Sequence, residues 1–180
     1  MKNRSDYKSR FRILKGGKIA LIISTMMGAV TILSAAPSGE SIVSGNISIN
    51  RDTPNTTNIN QTTNKGIINW QNFDVAAHEK VNFNQPNSTS STLNRVLSNN
   101  PSNIYGQINS NGQVFLVNQN GIYFGKNSSV NTAGFTASTL DITNENFLNS
   151  NYVFEGTSNA SILNLGTINT PNAYTALWVL

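Results

Sequence analysis

The 180-residue chain has no cysteine, a single histidine, and only twelve Lys or Arg against eight Asp or Glu. Without cysteine there is neither a disulfide scaffold nor a thiolate metal site, so packing and hydrogen bonds must hold the fold. The lone His78, in "AAHEK" beside Glu79, leaves any zinc to scattered carboxylates. No G-x-S-x-G nucleophile elbow is present, "DITNEN" lacks the alternating acids of a calcium loop, and "GKNSS" around Lys126 lacks the upstream glycine of a phosphate loop. Asp74, Glu79, Asp141 and Glu145 could pair as hydrolase carboxylates, yet isolated turn and surface acids need no such role. The sequence thus points away from an enzyme, with no catalytic residues, cofactor or metal assigned.

Sustained helical periodicity is also missing after residue 36, and no apolar run reaches the roughly 20 residues of a membrane helix. The longest, "IALIISTMMGAVTIL" (Ile19 to Leu33), follows a segment with seven Lys or Arg and one acid, and precedes Ser34, Ala35 and Ala36. That is the pattern of a secretory signal peptide, residues 1–36. The cleavage bond falls after Ala36 or, avoiding Pro37 just beyond the cut, after Ser38. Beyond the leader remain five basic residues and seven acids, a net of −2. The basic character belongs to the leader, and nothing in the remainder makes the clustered basic face that nucleic acid requires.

What is abundant is asparagine: 29 of the residues 37–180, beside 31 Ser or Thr. Disorder is one reading of so polar a segment, but short β-type apolar groups recur throughout. Expected strands are "SIVSGNISIN" (41–50), "GIINWQNFDV" (66–75), "KVNFN" (80–84), "TLNRVL" (92–97), "NIYGQIN" (103–109), "QVFLVN" (113–118), "GIYFG" (121–125), "GFTASTL" (134–140), "NYVFE" (151–155), "ASILNLGTIN" (160–169) and "AYTALWVL" (173–180). Residues 51–64 and 84–91 read as loops. "GQINSNGQVFLV" (106–117) aligns with "GTINTPNAYTAL" (166–177) at an offset of 60 residues, two or three coils of a solenoid. The class is all-β. A parallel solenoid, with inward side chains stacked and corner asparagines bonded along the axis, accounts for the repeat, while a sandwich predicts the same strands without it. "VNQNGIYFGKN" (117–127) embodies the choice, because Asn120-Gly121 between apolar runs also signals a hairpin.

The stretch "NRVLSNNPSNIYGQINSNGQVFLVNQNGIYFGKNSSVNTAGFTASTLDITNENF", Asn94 to Phe147, resembles the N-terminal secretion domain (TPS domain) of two-partner-secreted exoproteins of the filamentous haemagglutinin type. It is most similar to the branch containing high-molecular-weight adhesins. The likeness extends back through "IINWQNFDV" and "KVNFNQPNS" and forward through "NLGTINT". It implies a right-handed parallel β-helix (solenoid) with an N-terminal cap and extra-helical strands, over residues 37–180. It also implies export by the Sec translocon, an unfolded passage through the periplasm, and recognition by the POTRA domains of an outer-membrane TpsB-type β-barrel transporter. Folding would follow at the cell surface of a Gram-negative bacterium, nucleating the β-helix of the rest of the passenger. A full-length adhesin would add a host-cell surface receptor as partner. The same domain can head a contact-dependent toxin stem or a surface filament. A β-helix carbohydrate-active enzyme would need a row of charged residues that this chain lacks.

The family's N-P-N-G-I motif maps onto Asn118, Gln119, Asn120, Gly121 and Ile122, with Gln119 in place of proline. Proline presets the second position of a type I turn, and glutamine there costs about 0.5 to 1 kcal/mol in lost chain freedom, so the turn is expected to survive. The family's N-P-N-L motif finds only a look-alike in "NQPNS" (84–88). The apolar close "AYTALWVL", without a polar cap, reads as a passenger cut short.

Overall fold

A computed structural model of the chain describes residues 36–171 and 174–179. The expected leader lies outside the described residues apart from Ala36, as do Asn172 and, from the last expected strand, Ala173 and Leu180. From the amino end come β1 (Ser41–Ser44), β2 (Ile47–Asn50), β3 (Thr56–Gln61), β4 (Lys65–Trp70), β5 (Lys80–Asn84) and β6 (Ser91–Val96). Three three-stranded coils follow: β7 (Ser102–Ile104), β8 (Gln107–Ser110) and β9 (Gln113–Val117); β10 (Ile122–Phe124), β11 (Ser129–Asn131) and β12 (Gly134–Ser138); then, after an excursion carrying helix α1 (Asn144–Leu148), β13 (Ile162–Asn164), β14 (Thr167–Asn169) and β15 (Thr175–Trp178). Equivalent strands of successive coils pair in parallel as β4-β6-β9-β12-β15, β3-β5-β8-β11-β14 and β7-β10-β13. From β3 onward consecutive strands therefore belong to different sheets, which is a parallel β-solenoid and not a sandwich.

Alternation of side chains builds the interior. In β9, Val114 and Leu116 join the main core while Phe115 and Val117 join a second cluster on the opposite face, the two-residue period of a strand. Across coils the inward positions stack: Val81, Ile108, Val130 and Ile168 are successive register partners. Ile108 and Ile168 are the two isoleucines of the sequence repeat, and Val130 sits between them. The step from Ile108 to Val130 is 22 residues and the step from Val130 to Ile168 is 38, because residues 139–161 leave the coils and return.

Several expected elements differ. Residues 51–64, expected as loop, contain β3, whose inward Thr57, Ile59 and Gln61 are buried while outward Asn58 and Asn60 gave it a loop-like composition. "NYVFE" makes no ladder, and the extra-helical pairing there reduces to one antiparallel bridge, Asp141 to Glu155. "SIVSGNISIN", "NIYGQIN" and "ASILNLGTIN" each bend at a corner into two strands of different sheets. α1 was not expected, since five residues hold too few turns for periodicity to register.

The excursion is fastened onto the outer face of the β4-β6-β9 sheet. Ile67, Leu93, Phe115 and Val117 pack there with Ile142 and Phe147. Lys65 Nζ donates to the carbonyls of Phe147 (2.6 Å) and Leu148 (2.9 Å) and to Ser150 Oγ (2.6 Å), a cation at the end of α1. Arg95 donates to Asp141 Oδ1 (2.8 Å), Asn144 Oδ1 (2.9 Å), Asn69 Oδ1 (3.3 Å) and the Ile142 carbonyl.

Asparagines bond along the axis at corners, as Asn87 Nδ2 does to Asn64 Oδ1 (3.4 Å), and also along a strand. On the outer face of the β3-β5-β8-β11-β14 sheet, Asn82 Nδ2 donates to Asn58 Oδ1 (3.0 Å), Asn109 to Asn82 (3.1 Å) and Asn131 to Asn109 (3.3 Å). A strand position that repeats an amide at each coil thus satisfies its own polar groups.

The amino end is capped by β1 and β2, which run antiparallel on β4 and β3. Beside them Arg51 donates to both Glu40 oxygens (2.8 and 2.9 Å) and to the Pro37 carbonyl (2.8 Å). These bonds hold the Glu40 carboxyl below its ordinary value of 4.5. A lowered folded-state pKa contributes stability that is complete above the unfolded value and is lost as pH falls through the folded one. Both side chains are about a third exposed, so the contribution is below about 1 kcal/mol. Urea melts should show Glu40→Gln slightly less stable than the parent at pH 7, with the gap closing below pH 4.5; a gap that persists in acid would mean the pair contributes nothing.

Candidate functional site

Val117 closes β9 and Ile122 opens β10, and these strands lie in different sheets. Asn118 to Gly121 is therefore the corner between coils, and the hairpin reading of Asn120-Gly121 falls. The Gly121 amide donates to the Asn118 carbonyl at 3.1 Å, and Gln119 and Asn120 are absent from the residues with positive φ. An i to i+3 bond with two negative central φ angles is the type I pattern. Gly121 follows at φ +107°, a conformation open to glycine.

Asn118 organises the corner from inside. Its side chain is 0% exposed. Nδ2 donates to the Asn100 carbonyl and to Ser102 Oγ, both at 3.0 Å, and Oδ1 accepts from the Asn120 amide at 2.9 Å. The Asn118 amide continues the ladder to the Ser138 carbonyl (3.0 Å). One residue thus ties its own turn to the corner of the preceding coil and to the strand of the next. Asn120 Nδ2 reaches back to the Ser98 carbonyl (2.8 Å), and the Gln119 carbonyl accepts from Ser158 Oγ (2.6 Å). Ile122 buries its side chain in the main core.

Of the five motif residues, only Gln119 and Asn120 present side chains to the surface. They border a shallow depression of about 220 Å³ together with Leu97, Ser98, Arg95 and Asp141. The ion pair that fastens the excursion (Arg95 Nε to Asp141 Oδ1, 2.8 Å) thus lies at the rim of the same surface. Sequence reasoning gave neither residue a place there, since 46 residues separate them and no local pattern joins them.

Of the other residues singled out, Asp74 and Glu79 serve the framework. Asp74 Oδ1 accepts the Asn103 amide (2.7 Å) and Glu79 Oε2 the Ala76 amide (2.8 Å), while His78 is exposed. The "NQPNS" corner is held by buried Gln85, whose Nε2 donates to Thr92 Oγ1 (2.9 Å) and to the Gln113 carbonyl (3.1 Å). Sequence reasoning also missed Asn94, 0% exposed on β6, which accepts from Trp70 Nε1 (3.0 Å) and donates to the Phe115 carbonyl (3.1 Å). A nearby tryptophan with an indole N–H to satisfy was the available signal.

Comparison with known proteins agrees with this architecture. The crystal structure of the HMW1 secretion domain from Haemophilus influenzae superposes with a TM-score of 0.70 at 45% identity, over 74% of this chain and 36% of that one. Two curated relatives, both heme/hemopexin-binding proteins of Haemophilus influenzae, are 34% and 36% identical over 126 residues, 69% of this chain. The chain spans only 14% of the length of each. Residues 33–176 match the TPS secretion domain family. With that match over most of its length and the solenoid to accompany it, the chain belongs to the TPS secretion domain family of two-partner-secreted exoproteins.

Proposed function

We propose that this chain carries the secretion signal domain of an adhesin-type exoprotein, read in the periplasm by the POTRA domains of a TpsB-type outer-membrane transporter and folding into the solenoid once outside. The observation that carries the reading is the continuous family match over residues 33–176. The corner supports recognition before folding: Asn118 is 0% and Ile122 2% exposed, so a partner can touch those two side chains only in a chain that has not yet closed its coils. In the finished solenoid the same residues hold the corner. Any receptor-binding activity, including the haem or hemopexin binding for which the curated relatives are named, belongs to the whole passenger and is not assigned to this segment.

Export by the Sec translocon would remove residues 1–36. A cut after Ala36 would keep two bonds of the cap that a cut after Ser38 would remove, from the Ser38 amide to the Asn72 carbonyl at 2.9 Å and from Arg51 to the Pro37 carbonyl at 2.8 Å. Amino-terminal sequencing of the exported chain should begin at Pro37.

The test of the whole reading is co-production of the full chain with the TpsB-type transporter of its source bacterium in a Gram-negative host. The chain should reach the medium only when the transporter with its POTRA domains is present, and release indifferent to the transporter would refute the assignment. Gln119→Pro should export at least as well as the parent, since no hydrogen bond among the described residues uses the Gln119 amide and proline suits the second position of this turn. A clear loss of export by that variant would show that glutamine's own side chain is read.

A further inference from the structure

Only two asparagine-glycine pairs occur in the sequence, Asn111-Gly112 and Asn120-Gly121. Both stand at corners leading into or out of β9, and the geometry leaves little freedom at any of the four positions. Gly121 has φ +107°. A Cβ on Gly112 would lie 2.3 Å from Gln85 Oε1 and 2.7 Å from the Ser90 carbonyl oxygen. Asn111 brackets the Gln85 backbone with both ends of its amide, accepting from the amide at 2.8 Å and donating to the carbonyl at 2.6 Å. Asn120 bonds the Ser98 carbonyl at 2.8 Å. The fold thus requires at both corners the dipeptide whose chemistry is least durable in a loose chain, because glycine's amide, with no Cβ beside it, is the most accessible nucleophile toward a preceding asparagine side chain.

We propose that Asn111 and Asn120 are deamidation sites of the unfolded chain that folding shields, so that the corners record how long a chain has waited before folding. In the reaction the glycine nitrogen, having lost its proton to solvent, bonds to asparagine Cγ; the Cγ–Nδ2 bond breaks and ammonia leaves with a proton from water. Water then opens the succinimide to aspartate or isoaspartate. In the solenoid both reactants are held away from this path. The Gly121 amide is bonded to the Asn118 carbonyl (3.1 Å) and the Gly112 amide to Ser110 Oγ (3.0 Å), while each asparagine amide is fixed on a carbonyl. After conversion a carboxylate would face the Gln85 or Ser98 carbonyl where a donor stood, and isoaspartate would add a methylene to the corner backbone. Neither corner can then close as described, and the converted chain does not complete its coils. The consequence for export rests on the proposed unfolded passage; the chemistry does not.

The test needs no transporter, so its failure is separate from failure of the secretion reading. The purified chain is incubated at mildly alkaline pH with and without concentrated urea, digested, and mapped by mass spectrometry and isoaspartate assay. In urea, Asn111 and Asn120 should convert ahead of every other asparagine; in the folded chain both should be slower by at least about tenfold, the protection of a segment that opens rarely. Equal rates in the two states, or another asparagine leading in urea, would overturn the assignment. When the aged chain is diluted from urea, converted molecules should be depleted from the folded fraction. Their recovery in proportion would overturn the claim that the corners reject them.

Discussion

Asn118→Ala is expected to destabilise the solenoid by about 2 to 4 kcal/mol. Three side-chain bonds at 2.9 to 3.0 Å disappear together, and the groups they served stay in place. Ser102 Oγ would then need a partner at a buried position, and the Asn100 carbonyl and the Asn120 amide at partly buried ones; each buried group left unmatched costs about 1 to 3 kcal/mol. Asn118→Asp separates this cause from mere loss of packing. The carboxylate preserves shape and still accepts from the Asn120 amide, but it places an oxygen against the Asn100 carbonyl. Its loss at pH 7 should exceed that of alanine, and part should return in acid, where the protonated carboxyl donates once more. Urea melts of the three proteins at pH 7 and in mild acid decide it; equal stability of parent and alanine variant would show that the corner needs no internal clasp.

Arg95→Met should open the excursion while leaving the coils standing. The guanidinium makes the Asp141, Asn144, Asn69 and Ile142 contacts, and its side chain is only 12% exposed. Methionine keeps much of the apolar stem but none of the donors, and Asp141, 36% exposed, can turn to water. That relief limits the global loss to about 2 kcal/mol, below the 3 to 5 of a wholly buried broken pair. Locally the effect is larger. Hydrogen exchange should rise across residues 139–156 and a protease should nick that segment first, with the β8 and β11 amides still protected. If exchange rises evenly through the chain, the excursion is not an independently opening unit.

The solenoid was legible in sequence because its inward positions are apolar and repeat. Ile108 and Ile168 announced a shared column through the G-x-I-N pattern. The size of the steps was hidden, because corners absorb insertions and the 38-residue step defeats any fixed period. Strand β3 went unread for a complementary reason: its outward asparagines satisfy one another across coils, so residues that signal a turn in isolation are ladder members here. The corner at Asn118 to Ile122 was located by resemblance, and its alternation of buried and exposed side chains follows from the turn. The Arg95 and Asp141 pair beside it depends on the excursion folding back across 46 residues, a long-range closure with no local trace. α1 is likewise a product of docking, with Phe147 buried against Phe115 at 5.3 Å between ring centroids.

The excursion also has a mechanical meaning. Parallel ladders between coils lie along the solenoid axis, so a pull on the last strand can peel it away a bond at a time, a zipper with little resistance. Residues 142–147, however, rest on Ile67, Leu93 and Phe115 together, and those residues belong to β4, β6 and β9, three successive turns of the winding. Peeling that has removed β15, β14 and β13 meets, before it can reach β12, a rivet driven through three layers, which must yield in shear and all at once. Lys65 and Arg95 are the pins of that rivet, and tension on the carboxyl end should be borne there before it reaches the cap.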